Sequence, residues 1–166
     1  MTRKAASELR IRPATAVDVP LVLALVRELG EYERLSHLVS ATEARLVESL
    51  FGQHPGAEVV LGFAGEAPAG FAVYFHNFST FLGVKGLWLE DLYVRPAMRR
   101  HGFGRALLLH VARIAHDRGC GRFEWAALDW NEPAIRFYRS LGAVALDDWT
   151  IFRVTGPALE KLANMH

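Results

Sequence analysis

At 166 residues, with 51% hydrophobic and 22% charged residues, the chain is long enough to bury one core and too apolar to be disordered. Nineteen basic against eighteen acidic residues leave a net charge of +1, which excludes blanket attraction to nucleic acid or anionic membranes. The lone Cys120 excludes an intrachain disulfide framework, and no apolar run follows Met1-Thr2-Arg3-Lys4 or reaches the roughly 20 residues of a spanning helix, so a single cytoplasmic domain over residues 1–166 is expected.

Residues 1–8 read as a loose polar lead-in, and Glu8 to Arg12 alternates as a short strand closed by Pro13. Asp18 then caps a helix that tolerates Pro20 in its first turn and carries Val22, Leu25, Val26 and Leu29 to about Glu31. A second helix is expected over 42–51, capped by Thr42, with Leu46, Val47 and Leu50 on one face. Three strands follow, over 58–64, 69–77 and 86–94, the first two joined by the turn residues Gly65-Glu66-Ala67-Pro68. Between the second and third, residues 78–83 form an apolar loop that suggests a covered surface. The helix after Gly104 repeats Ala106, Leu107, Val111, Ile114 and Ala115, places His110 on its apolar stripe, and stops near Gly119. A strand over 122–128, a short helix over 133–140 stopped by Gly142, strands near 143–146 and 149–154, and a helix from Pro157 complete the chain. This order predicts an α+β (mixed α/β) fold with helices on both faces of the sheet.

Two segments carry chemistry. Arg99-x-x-Gly102-x-Gly104 follows a strand and opens a helix, the context in which glycines let backbone N–H groups approach a phosphate. Arg99, Arg100, His101 and Arg105 add positive charge around that turn. Leucine at position 107 excludes the third glycine of a dinucleotide fingerprint. The second segment, Asn131-Glu132-Pro133-Ala134-Ile135-Arg136-Phe137-Tyr138, is a capped short helix that carries a tyrosine. The seven histidines show no metal-ligand spacing, so no metal site is expected. Phe123, Trp125 and Trp130 lie near few basic residues and read as packing rather than base stacking.

Together with Val94, the glycine turn matches the R/Q-x-x-G-x-G/A motif of the GNAT superfamily of acetyl-CoA-dependent N-acetyltransferases. Ile11-Arg12-Pro13-Ala14-Thr15, Arg27-Glu28-Leu29-Gly30-Glu31-Tyr32-Glu33, Leu89-Glu90-Asp91 and residues 131–138 resemble its diamine (spermidine/spermine) and thialysine acetyltransferase branch in order and spacing. The resemblance covers residues 10–155 and implies a mostly antiparallel sheet splayed at a cofactor cleft. Its cosubstrate would be acetyl-CoA, its partner a small-molecule amine, and its assembly a homodimer. It assigns the pantetheine arm to the backbone of Leu92, Tyr93 and Val94, and the pyrophosphate to the turn comprising Arg99, Arg100, His101, Gly102, Phe103, Gly104 and Arg105. A second cofactor contact falls to Asn131, Glu132, Pro133 and Ala134, and Tyr138 is placed near the sulfur. Tyr32 and Glu33 match the branch's substrate contacts. Two departures stand out. The branch often has glycine where Arg100 stands, and its acidic loop is shorter here, leaving Asp147-Asp148-Trp149 with Asp148 as a substrate contact.

An alkylamine with a pKa near 10.4 arrives protonated at neutral pH, so acetyl transfer calls for a carboxylate that accepts its proton directly or through water. Glu90 is the candidate. Strand alternation puts Glu90 and Asp91 on opposite faces, so only one of them should point into the site. Tyr138 would protonate the departing thiolate, or only orient the thioester. Direct attack in a ternary complex on a polyamine or lysine-like amino acid is the expectation. The competing readings are an acetyltransferase for a peptide N-terminus or aminoglycoside, and a non-catalytic acyl-CoA-binding module.

Overall fold

A computed structural model describes residues 9–165, so the expected lead-in over residues 1–8 lies outside the described residues. The chain divides into two compact units, Met1–Ala126 and Ala127–His166. The first holds a five-stranded sheet in the order β1-β2-β3-β4-β5. Its strands are β1 (Leu9–Pro13), β2 (Glu58–Ala64), β3 (Ala67–Ser79), β4 (Val84–Val94) and β5 (Phe123–Trp125). Neighbours pair antiparallel from β1 to β4, and β5 joins β4 in parallel.

Helices α1 (Val19–Tyr32) and α2 (Glu43–Phe51) cover one face. The α1 residues Val22, Leu25 and Leu29 pack there with Val59, Leu61, Phe63, Phe71 and Tyr93. Full burial of side chains such as Leu25, Leu61 and Phe71 stabilises the fold by about 1.5–3 kcal/mol each. Thr42 caps α2, its hydroxyl accepting from Arg45 N at 3.3 Å. Leu46 and Leu50 reach the core as expected, but Val47 is 43% exposed, because its position falls off the inward stripe. Helix α3 (Phe103–Asp117) lies on the opposite face, where Arg118 stacks over Tyr74. Leu107 and Val111 are its fully buried positions, whereas His110 is half-buried and its imidazole pKa is lowered by burial and by Arg113.

Asp18 sits at the start of α1 but makes no side-chain capping bond to it. Its carboxylate instead accepts two bonds of 2.8 Å from the Arg12 guanidinium and one of 2.8 Å from Thr15 N, which hold it well below the usual carboxylate range. The β3–β4 hairpin runs two residues further at each side of its turn than the pattern suggested. Phe78, Phe81 and Leu82 are exposed at its tip.

The second unit holds α4 (Glu132–Ser140) and α5 (Gly156–Ala163). Gly142 follows α4 at φ +89°, the left-handed conformation expected of its stop. The strands expected over 143–146 and 149–154 do not form, and the strand expected over 122–128 shrinks to Phe123–Trp125. Phe123 and Trp125 pack ring to ring at 5.0 Å, whereas Trp130 is half exposed.

Candidate active site

The first unit assembles its candidate site along β4. β5 pairs with β4 only from Leu87↔Phe123 to Leu89↔Trp125, so β4 continues for five residues past its last partner on that side. Arg95 N donates to Ala69 O at 2.9 Å, which directs the backbone of residues 93 and 95 towards β3. By alternation Leu92 and Val94 present their N–H and C=O groups to the side that β5 has vacated. That row of donors and acceptors suits an extended ligand lying along the strand.

At the end of β4 the chain turns through Pro96–Met98 into the glycine segment. Arg100 and Gly102 both adopt left-handed backbone, φ +66° and +79°, and α3 begins at Phe103 without a side-chain cap. The N–H groups of its first turn therefore point outward from the positive end of the helix dipole. A Cβ on Gly102 would meet nothing within 4 Å, and one on Gly104 would meet only Val94 Cγ2 at 3.7 Å. Internal packing does not demand the missing side chain at Gly104. It leaves room above the turn for an anion held by backbone.

The side chains around the turn divide by direction. Arg100, His101 and Arg105 are exposed, with His101 stacked on Phe103 at 5.6 Å. Phe103 and Tyr93 are buried. Phe103 offers its backbone N–H to the turn, whereas the Tyr93 backbone, paired with Phe71 of β3, is turned away from the open strand edge expected to hold the cofactor arm. Arg99 folds inward: its Nε donates to Val94 O at 2.9 Å and its guanidinium lies 4.5 Å from the Tyr32 ring centroid. Arg95 anchors the body of α1 to the same strand end, donating to Glu28 at 3.0 and 2.7 Å.

An irregularity in β4 changes the expected alternation. Tyr74 pairs with Leu89, but Val73 pairs with Asp91, so Glu90 is an extra residue in a β-bulge. Phe75↔Trp88 and Val73↔Asp91 are both cross-strand pairs, and Phe75 and Val73 share a face. Trp88 and Asp91 therefore lie on one side of the sheet, the side of α1, although three positions apart. Glu90 is exposed, and its carboxylate accepts from Trp88 Nε1 at 2.9 Å. Burial, then the neighbouring charges of Glu90 and Glu33, push the Asp91 carboxyl up to about 7. Glu33, half-buried just after α1, is also raised by burial.

Thus Glu90, Asp91, Glu33, Tyr32, the open edge of β4 and the glycine turn come together in one unit. Sequence alternation had set Asp91 against Glu90. The bulge that reconciles them has no sequence signal of its own beyond two adjacent carboxylates in a strand. The positions of Trp88 and of the Arg99 side chain were equally unmarked. Asn131, Glu132, Pro133, Ala134, Tyr138 and Asp148 belong to the second unit. Asn131 stands at the start of α4 without a side-chain capping bond, its carbonyl accepting from Ala134 N and Ile135 N at 3.0 Å. Glu132 pairs with Arg136 at 3.4 Å, the half-buried Tyr138 packs beside Phe137 at 5.3 Å, and Asp147 and Asp148 lie exposed in a turn. Among the described residues no group of three His, Cys, Asp or Glu is placed to hold a metal ion, and no helix is long and apolar enough to cross a membrane.

Residues 23–143 match the model of the acetyltransferase (GNAT) family. The chain is similar to L-ornithine N5-acetyltransferase NATA1 of Arabidopsis thaliana, at 32% identity over 95% of this chain and 89% of the relative. It is also similar to the thialysine N-epsilon-acetyltransferase of Mus musculus, at 36% identity over 93% and 97% of the two chains. Among solved structures, an integron cassette protein from the mobile metagenome of V. cholerae superposes with a TM-score of 0.80 at 27% identity, covering 95% of this chain and 98% of that one. The chain belongs to the GNAT acetyltransferase family and is an acyltransferase.

Proposed function

We propose that the chain transfers the acetyl group of acetyl-CoA to a primary amine of a small cationic molecule, a polyamine or a lysine-like amino acid, by direct attack in a ternary complex. The observation that carries this reading is the trio of carboxylates at the β4 bulge, Glu90, Asp91 and Glu33, with Asp91 raised to about 7. A cationic amine is drawn to such a group, and a base that titrates near neutral pH is suited to deprotonating it. Two relatives bear names for acetylation of side-chain amines, on ornithine and on thialysine.

Acetyl-CoA supplies the thioester carbonyl that the amine attacks. The open edge of β4 fits its pantetheine arm, with the Leu92 and Val94 N–H groups available to it and to the carbonyl. The space above Gly102 and Gly104, and the outward N–H groups of α3, fit its pyrophosphate, with Arg100, His101 and Arg105 adding positive charge. Asn131, Glu132, Pro133 and Ala134 provide a further contact on this reading. At the acceptor side Glu90, the base expected from the sequence, is held by Trp88 and grips the ammonium. The buried Asp91 beside it replaces Glu90 as the group that takes the proton, directly or through water. Tyr32, Glu33 and Asp148 contact the rest of the amine. Tyr138 gives its hydroxyl proton to the departing thiolate.

The enzyme on this reading works in the cytoplasm, in keeping with its one free thiol, as a homodimer whose interface draws on the exposed tip residues Phe78, Phe81 and Leu82. Thiol release from acetyl-CoA with a panel of amines tests the assignment. Turnover should be greatest with diamines or ornithine- and lysine-like amino acids. Activity confined to aminoglycosides or peptide N-termini would refute it.

A further inference from the structure

We propose that Arg99 is a positioning residue that couples the cofactor turn to the acceptor side of the site, so that acetyl-CoA and the amine strengthen each other's binding. The proposal rests on the acetyl transfer reading and adds a link between its two halves. Arg99 opens the glycine turn, yet its side chain does not reach outward. Its Nε donates to Val94 O at 2.9 Å, and its guanidinium covers the rings of Tyr32 and Tyr93 at 4.5 and 5.7 Å. Those two rings lie 6.4 Å apart, tilted by 52°. One side chain therefore touches the strand segment proposed to hold the thioester, begins the turn proposed to hold the pyrophosphate, and lies against the last residue of α1.

Tyr32 matters because of its neighbour in the chain. Glu33 is the next residue, and its charge is felt by Asp91. Arg34 then takes a left-handed backbone, φ +62°, that ends the helical path. The body of α1 is fixed independently by the Arg95–Glu28 pair. The last turn meets the cofactor side through Arg99 and through Tyr93, whose ring Arg99 also covers. A planar guanidinium stacks on an aromatic face while donating in its own plane, which a lysine ammonium cannot do. Ordering the turn around a pyrophosphate fixes Arg99. Arg99 fixes Tyr32, and Tyr32 sets where Glu33 stands relative to Asp91. Linkage requires the effect to run equally in reverse.

Arg99→Gln tests the idea, because glutamine retains an N–H donor for Val94 O and fits the R/Q motif while removing the cation. Calorimetry should show that the variant still binds acetyl-CoA. The KM for the amine at saturating acetyl-CoA should rise about three- to fivefold, the order that an exposed cation–π contact supports. Tyr32→Leu, which also loses its own contact with the amine, should give at least as large a rise, Tyr32→Phe much less, and Arg99→Gln combined with Tyr32→Leu no more than Tyr32→Leu alone. Hydrogen exchange supplies a readout free of the amine: CoA should protect the amides of residues 32–36 in the wild-type chain but not in Arg99→Gln. Multiplying KM effects, or CoA binding that leaves residues 32–36 unprotected in the wild type, would overturn the coupling alone. A wild-type chain that binds no CoA would remove the acetyl transfer reading with it.

Discussion

Replacing Asp91 by asparagine tests the site's electrostatics through stability as well as rate. In the folded chain the Asp91 carboxyl titrates at about 7 rather than 3.8, because it is buried and faces Glu90 and Glu33. Between those two values the folded chain keeps a proton that the unfolded chain releases. Wild-type stability therefore falls as pH rises through that window, and the penalty is complete above it. A gap of about three units corresponds to a ceiling of about 4 kcal/mol. At pH 5 roughly 1.5 kcal/mol of it has already accrued, so up to about 2.5 kcal/mol remains to be lost by pH 8. The Asp91→Asn chain has no such proton to lose. Urea unfolding at both pH values should show its advantage over the wild type widening by about 2 kcal/mol from pH 5 to pH 8, while its turnover collapses. Titrating groups remote from Asp91 cancel in that difference. Parallel stability curves for the two chains would refute the burial argument, and retained turnover would refute the role as base.

Tyr138→Phe should cut turnover at least tenfold while leaving acetyl-CoA affinity nearly unchanged; steady-state rates paired with calorimetry check both halves. Gly104→Val adds a side chain where the chain itself offers only one ordinary contact, so thermal unfolding should hardly move while acetyl-CoA affinity falls tenfold or more. Arg100→Gly relieves a left-handed backbone that a side chain disfavours, and chemical denaturation should show stability rising by up to about 1 kcal/mol.

Elements whose apolar spacing repeats within one segment were legible in the sequence. The periodic stripes of α1 and α3 and the capped start of α2 specify helices without reference to anything distant. Val144 and Leu146, or Trp149 and Ile151, show strand alternation, but alternation states only that a segment would fit a half-buried sheet. It supplies no partner, and residues 143–154 form no strand. The glycine turn was legible because left-handed positions and helix starts have their own residue chemistry. The acidic side was half legible. Leu89-Glu90-Asp91 marked the place, but the facing of its carboxylates depends on where β3 pairs, a nonlocal fact. The inward Arg99 is similar: the motif located it, and only the approach of Tyr32 from another element decided its direction.

The extra residue in β4 separates foldability from reactivity. Were Glu90 deleted, Leu89 could still oppose Tyr74 and Asp91 could still oppose Val73, so the ladder would heal without disturbing any other neighbour. What would vanish is the kink at the very point where the parallel strand departs. A straighter β4 would then be free to pair with a parallel neighbour beyond Leu89, where the ladder now stops. On the proposed acetyl transfer, the irregularity is a concession in backbone order that keeps the strands apart where an extended guest would lie.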